Sequence, residues 1–162
     1  MSSIKFSESI EILATPELIF DYTQDYNKRL KWDTFLTEAY LLDNVAQADK
    51  GVKAWCVSRN GLGMETQYVS FNRPKVTAVK MTKGPYMFRE FSASWTFKET
   101  TTGITKVTFL YSFSLRLPFN LVSFFIKSIL QKNVRQRLVD LKNEFSESGT
   151  AGNKVYAQFK FD

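Results

Sequence analysis

The 162-residue sequence contains no histidine and a single cysteine, Cys56. The first absence removes the usual general base, the Ser-His and Cys-His nucleophile pairs and the commonest metal ligand, which leaves little of enzymology within reach. With Cys56 alone, a zinc site would have to be built from carboxylates, which is not how zinc is normally held, so neither a metal nor a cofactor is expected. A lone cysteine cannot close an internal disulfide either. A reducing, cytoplasmic setting is therefore expected, with Cys56 as a small buried hydrophobe.

Other features are missing as well. The N-terminal stretch MSSIKFSESIEIL has no apolar segment behind a basic start, so neither a signal peptide nor an anchor is expected there. A membrane-spanning helix needs about 20 consecutive apolar residues. The most apolar run, around Phe119 to Leu130, is interrupted by Lys127. Lys and Arg outnumber Asp and Glu by 22 to 16, for a net charge of +6, yet they are scattered and never form a run. Such a distribution favours solubility and argues against nucleic acid as a partner.

What is present is apolar and aromatic. Phe, Trp and Tyr make up 15% of the chain, with 15 phenylalanines. Aromatics enlarge cores and also line apolar cavities. The length suits one domain, assigned to residues 1–147, with a tail at 148–162.

Ile4, Phe6, Ile10 and Ile12 alternate with polar residues, the pattern of a half-buried strand. Glu8 falls on the apolar parity, explained either by a bulge or by a carboxylate facing inward. Thr15 as N-cap, Pro16 and Glu17 make a helix start, and two short helices are predicted before Trp32. Strands follow at 35–42, 52–59, 64–71, 75–82, 86–98 and 104–117. Gly61 and Gly63 fall in a hairpin connection; a phosphate loop is rejected because no helix start and no lysine follow.

The last two strands alternate most clearly. Phe91, Ala93, Trp95 and Phe97 share one parity, as do Val107, Phe109, Tyr111, Phe113 and Leu115, with Ser, Thr and Lys between them. One aromatic face and one wet face is what an antiparallel sheet shows when it is covered on one side only. The inward parity of Trp55, Tyr68 and Met81 is not fixed by the pattern.

A long helix is predicted from Pro118 to Glu147. In its second half Leu130, Val134, Leu138, Leu141 and Phe145 recur at three- and four-residue steps, with Arg135, Arg137, Asp140, Lys142 and Glu144 read as off that stripe. Its first half is apolar on nearly every side and must be contacted on more than one: by the protein's own sheet, by an apolar ligand or by a membrane surface. In the tail, Val155, Ala157, Phe159 and Phe161 alternate, which leaves open an eighth strand, a strand lent to a second copy in a homodimer, or disorder.

The order of these pieces resembles the START-related, Bet v 1-like helix-grip (SRPBCC) superfamily, in its polyketide cyclase and dehydrase-like branch. The resemblance runs from about Ile4 to Phe145. It is carried by Ile10, Ile12 and Ala14 leading into TPELIFDYTQD, the segment from Tyr26 to Trp32, Gly51 before a strand, SASWTF with TKVTFLYSF after a turn, and LVDLKNEF closing the helix. It implies an α+β fold in which a seven-stranded curved antiparallel sheet grips the long C-terminal helix, with two short helices after the first strand. It also implies a cavity for a small hydrophobic or amphipathic molecule, lined by Phe91, Trp95, Tyr111 and Phe113 from the sheet and by Phe124, Phe125, Ser128 and Ile129 from the helix. The family carries no universal catalytic motif, so no catalytic residue is assigned.

Arg89 shares the parity of Phe91 and Trp95, so a regular strand would point it inward, to meet Glu8 or a ligand anion; at a strand end it would instead reach solvent. The expected function is binding or transport of a lipid-like or aromatic ligand. The alternatives are a cyclase or aromatase in which Tyr111, Arg89 or Glu8 moves a proton or holds an enolate, and a module making peripheral contact with a membrane surface.

Overall fold

Period-two alternation in seven segments produces one antiparallel sheet. The computed structural model describes residues 2–158, with side chains through residue 147. In chain order the elements are β1 (Ile4–Ile12), α1 (Pro16–Gln24), α2 (Tyr26–Trp32), β2 (Leu36–Leu41), β3 (Lys53–Ser58), β4 (Gly63–Asn72), β5 (Val76–Lys83), β6 (Phe88–Thr101) and β7 (Ile104–Leu115). A 3-10 turn at Phe119–Val122 then leads into α3 (Ser123–Gln158). The strands are ordered β1-β7-β6-β5-β4-β3-β2, so after the chain leaves β1 it builds the sheet from the far edge back. This is the helix-grip fold, with α3 held on the inner face.

Local chemistry accounts for the short helices. Pro16 occupies the first turn of α1 with Glu17 beside it, where a fixed φ and a negative charge are both favourable. Thr15 sits at the N-cap, but its side chain makes no capping hydrogen bond, contrary to the sequence expectation. Asp25 does cap α2, its carboxylate accepting from the Asn27 N–H at 3.0 Å.

On α3, Val134, Leu138 and Leu141 are fully or almost fully buried and share one core with Ile12, Phe20, Val107 and Phe113. The helix packs against β1 and β7, at one side of the sheet, while α2 packs against β2 at the other edge. Glu8 is drawn into this arrangement. The β1–β7 ladder runs from Ile4 to Ile12 without a register shift, so no bulge turns the residue out. Its carboxylate faces α3, accepting from Gln131 Nε2 and pairing with Arg135 Nε at 3.0 Å. The Arg135 guanidinium holds the Glu8 carboxyl below the usual carboxylate range.

The eighth strand considered for the tail is not formed through residue 158, where the described backbone continues as α3. Residues 159–162, and the side chains from 148 onward, lie outside the described residues, and so does the homodimer contact considered for them.

The first half of α3 carries the other departure from expectation. Phe124 and Phe125 are 77% and 67% exposed, as is Leu121 in the turn before them at 79%, so no part of the described chain covers that side. Core and surface positions should therefore respond differently. Leu138→Ala is expected to cost about 2–5 kcal/mol of unfolding free energy in urea, while Phe125→Ser changes it by no more than about 0.5 kcal/mol. A large loss for Phe125→Ser would show that the exposed face is covered after all.

Candidate ligand-binding cavity

Between the inner face of the sheet and α3 lies a cavity of about 490 Å³. Its sheet wall includes Met64, Tyr68, Phe91, Trp95, Phe109 and Tyr111. Its helix wall is Ile126, Ile129, Leu130, Asn133 and Arg137, reached at three- and four-residue steps along one side of α3, with Phe119 and Val122 from the preceding turn. Leu62, Val122 and Ile129 line the cavity and are also exposed, so the mouth lies between the β3–β4 connection and the start of α3.

Of the residues proposed from sequence, Phe91, Trp95, Tyr111 and Ile129 meet on this cavity. Phe113 is wholly buried but lies behind the wall, edge-on to Phe88 with centroids 5.7 Å apart. Phe124, Phe125 and Ser128 are exposed: Phe124 and Ser128 fall on the side of α3 away from the 126, 129, 133 and 137 row, and Phe125 flanks that row on its outer side. Arg89 is also exposed. The β6–β7 ladder pairs Phe88 with Leu115 and Glu90 with Ser114, so a bulge at Arg89 reverses the parity counted back from Phe91.

The polar end of the cavity consists of residues that pattern reading passed over. Asp33 is completely buried, and two guanidinium groups converge on it. Arg29 Nε donates to its Oδ2 at 3.0 Å, and Arg137 donates through Nη2 to Oδ2 at 2.8 Å and through Nε to Oδ1 at 3.1 Å. Arg137 Nη1 also donates to the Tyr111 hydroxyl at 2.7 Å, and Arg29 Nη1 to the Thr23 carbonyl at 2.9 Å. Aromatic faces complete the setting: the Arg29 guanidinium carbon is 5.0 Å from the Trp32 ring centroid, and that of Arg137 is 5.0 Å from both Phe35 and Phe109. Beside the cluster, the Tyr68 hydroxyl donates to Gln24 Oε1 at 2.8 Å and lies 3.2 Å from the Tyr26 hydroxyl.

Burial alone would raise the Asp33 carboxyl, but Arg137 and Arg29 outweigh it and hold the group below the usual range. Burial pushes the hydroxyls of Tyr26, Tyr68 and Tyr111 and the Cys56 thiol upward, so all four are neutral at pH 7. Cys56 is partly exposed by surface area, but it lines the cavity and is enclosed by protein on its other sides.

Arg137 could have been found from sequence. It lies three residues after Val134 and four before Leu141, inside the apolar stripe. The Arg29 and Asp33 spacing of four was a second signal.

Removing the shared carboxylate should be costly. Asp33→Asn is expected to lose about 3–5 kcal/mol in urea denaturation, because two buried cations lose their counter-charge. The Asp33 carboxyl is lower in the folded chain than in the unfolded one, so its contribution is complete above about pH 4 and fades as pH falls through the folded value. The variant should therefore show a flatter acid limb than the wild type. The pair Asp33→Leu with Arg137→Met should cost less than the two single losses added together.

Residues 3–146 match the family described as polyketide cyclase / dehydrase and lipid transport. No curated protein matches the sequence. Among solved structures, a START superfamily protein from Mycobacterium smegmatis aligns with a TM-score of 0.74 at 12% identity, over 88% of this chain and 97% of that one. Zhui aromatase/cyclase from Streptomyces sp. R1128 gives 0.76 at 11% identity, over 90% and 94%. XoxI from Bacillus cereus gives 0.73 at 14%, over 90% and 97%. Identities this low establish a shared helix-grip fold, while the match to the family covers nearly the whole chain; the protein belongs to the polyketide cyclase / dehydrase and lipid transport family.

Proposed function

We propose that the protein binds a small hydrophobic or amphipathic molecule, lipid-like or aromatic, inside the cavity between the sheet and α3. The observation that carries this reading is the cavity itself: about 490 Å³, walled mostly by aromatic and aliphatic side chains, and reaching the surface at Val122 and Ile129. Sites for small molecules fall in the range of about 300–1,000 Å³. Each Å² of ligand surface removed from water contributes about 25 cal/mol, so an apolar ligand gains affinity from these walls without any special chemistry.

A cyclase or aromatase reading is supported by the family's description and by the aromatase/cyclase among the similar structures. Of the groups first considered for proton transfer, Arg89 lies outside the cavity, and Glu8 is occupied by Arg135 and Gln131 and does not line it. Tyr68 already donates to Gln24 and Tyr26 faces the Tyr68 oxygen, so catalysis would fall to the Tyr111 hydroxyl, which accepts from Arg137, stays protonated at neutral pH and can donate to a carbonyl but not act as a base. The carrier reading asks nothing further of these groups and is preferred.

Native mass spectrometry of the purified protein should reveal a discrete added mass from a retained ligand. Ala93, which lines the cavity beside Trp95, gives the matching variant. Ala93→Phe should weaken binding about tenfold or more by occupying the ligand's space, while moving Tm by no more than about 4 °C. No retained mass, together with no thermal stabilisation by fatty acids, isoprenoids or polyphenols, would overturn the reading.

A further inference from the structure

The charge of the cavity narrows the ligand class further, and the argument rests on the binding reading just given. The titratable groups on or against the cavity wall are Arg29, Arg137, Asp33, Tyr26, Tyr68, Tyr111 and Cys56. The tyrosines and the thiol are neutral, so one carboxylate faces two guanidinium groups and the enclosure carries one unit of positive charge. Asp33 is already shared between the two cations, accepting from Arg29 Nε and from Arg137 Nε and Nη2.

The two arginines are not equivalent. All three nitrogens of Arg137 donate, to Asp33 and to Tyr111. Arg29 donates through Nε and Nη1, but its Nη2 makes no hydrogen bond to any described residue. Arg29 is 6% exposed and lines the cavity, so its unpaired Nη2 edge is available to a molecule held there. The rings of Trp32, Tyr26 and Trp95, at 5.0 to 5.9 Å, stabilise the charge through its face and leave the Nη2 edge open to the cavity. A buried guanidinium with an idle edge is costly unless an anion meets it.

We propose that the cavity is built for an amphipathic ligand bearing a single carboxylate, which is received by Nη2 of Arg29 while the apolar body extends along Trp95 and Phe109 towards the mouth at Val122 and Ile129. A monoanion brings the enclosure to neutrality. A dianionic phosphate would leave a buried negative charge in its place, and a neutral alcohol would leave the positive one unbalanced.

Two probes with the same chain, dodecanoate and dodecan-1-ol, separate this proposal from the reading beneath it. In titration calorimetry of the wild type, dodecanoate should bind about tenfold or more tighter than the alcohol, as expected for a charge-assisted hydrogen bond. Arg29→Gln should reduce that preference to about threefold or less, with binding of the alcohol retained. Should Arg29→Gln fail to fold, the wild type still decides the matter through the carboxyl resonance of [1-¹³C]dodecanoate: its midpoint in the complex should lie below that of the free acid, because a guanidinium faces it. Equal binding of the two probes, or a midpoint raised by an apolar surround, overturns the carboxylate assignment and leaves the cavity reading standing. If neither probe binds, the carboxylate assignment falls, and the cavity reading is decided separately by the retained mass and the wider ligand panel.

Discussion

A seven-stranded sheet is about 29 Å across at a strand spacing of about 4.8 Å, whereas a helix with its side chains is about 10–12 Å in diameter. One helix cannot cover one apolar face of that width. Here α3 meets β1 and β7, α2 meets β2, and the strands between them keep their inward aromatic rows. Curling lets the sheet fold around the helix instead of lying flat beneath it. The apolar alternation of β6 and β7 continues past the point where Val134, Leu138 and Leu141 fill the space, and that remainder is the cavity. Core and binding site are thus one continuous surface, divided only by how far the helix reaches.

Desolvation shapes the other end. A carboxylate and two guanidinium groups taken out of water need good geometry to break even, and here every oxygen of Asp33 is used while aromatic rings flank both cations. The cluster adds little net stability by this reasoning, although losing one member is expensive. What it does contribute is a polar pole in an otherwise apolar chamber, fixed in place because Arg29 and Asp33 are carried by α2 and its end, and Arg137 by α3.

The strand boundaries were legible to within a few residues because a period of two is imposed by the pleat and survives in any sheet with one wet face. Inward residues in regular stretches, such as Trp95 and Tyr111, could be read in the same way. Arg89 could not, since one extra residue in the ladder inverts the parity and its sequence carries no mark of the bulge. The start of α3 is a different case. Its apolar character on nearly every side implies contact on more than one, and the described chain supplies it on the side of Ile126 and Leu130 while Phe124 and Phe125 stay exposed. Buried charge is harder to read: Arg137 lies within the helical stripe by spacing, but an arginine is held inside only by a counter-charge distant in sequence, here Asp33.

Asp33 and Arg137 are separated by 104 residues, and the hydroxyl that completes their contact belongs to β7. During synthesis from the N-terminus, Arg29 and Asp33 can pair as soon as α2 has emerged, long before the helix that supplies the second cation has been made. Until then the chamber lacks a wall and the aromatic rows of β6 and β7 face water. Loop closure over so long a distance costs only slightly more than over a short one, so the delay is one of order and not of energy. The binding site is consequently a property of the whole domain: its wall draws on residues from Gln24 to Arg137, and no fragment that stops before α3 can inherit it.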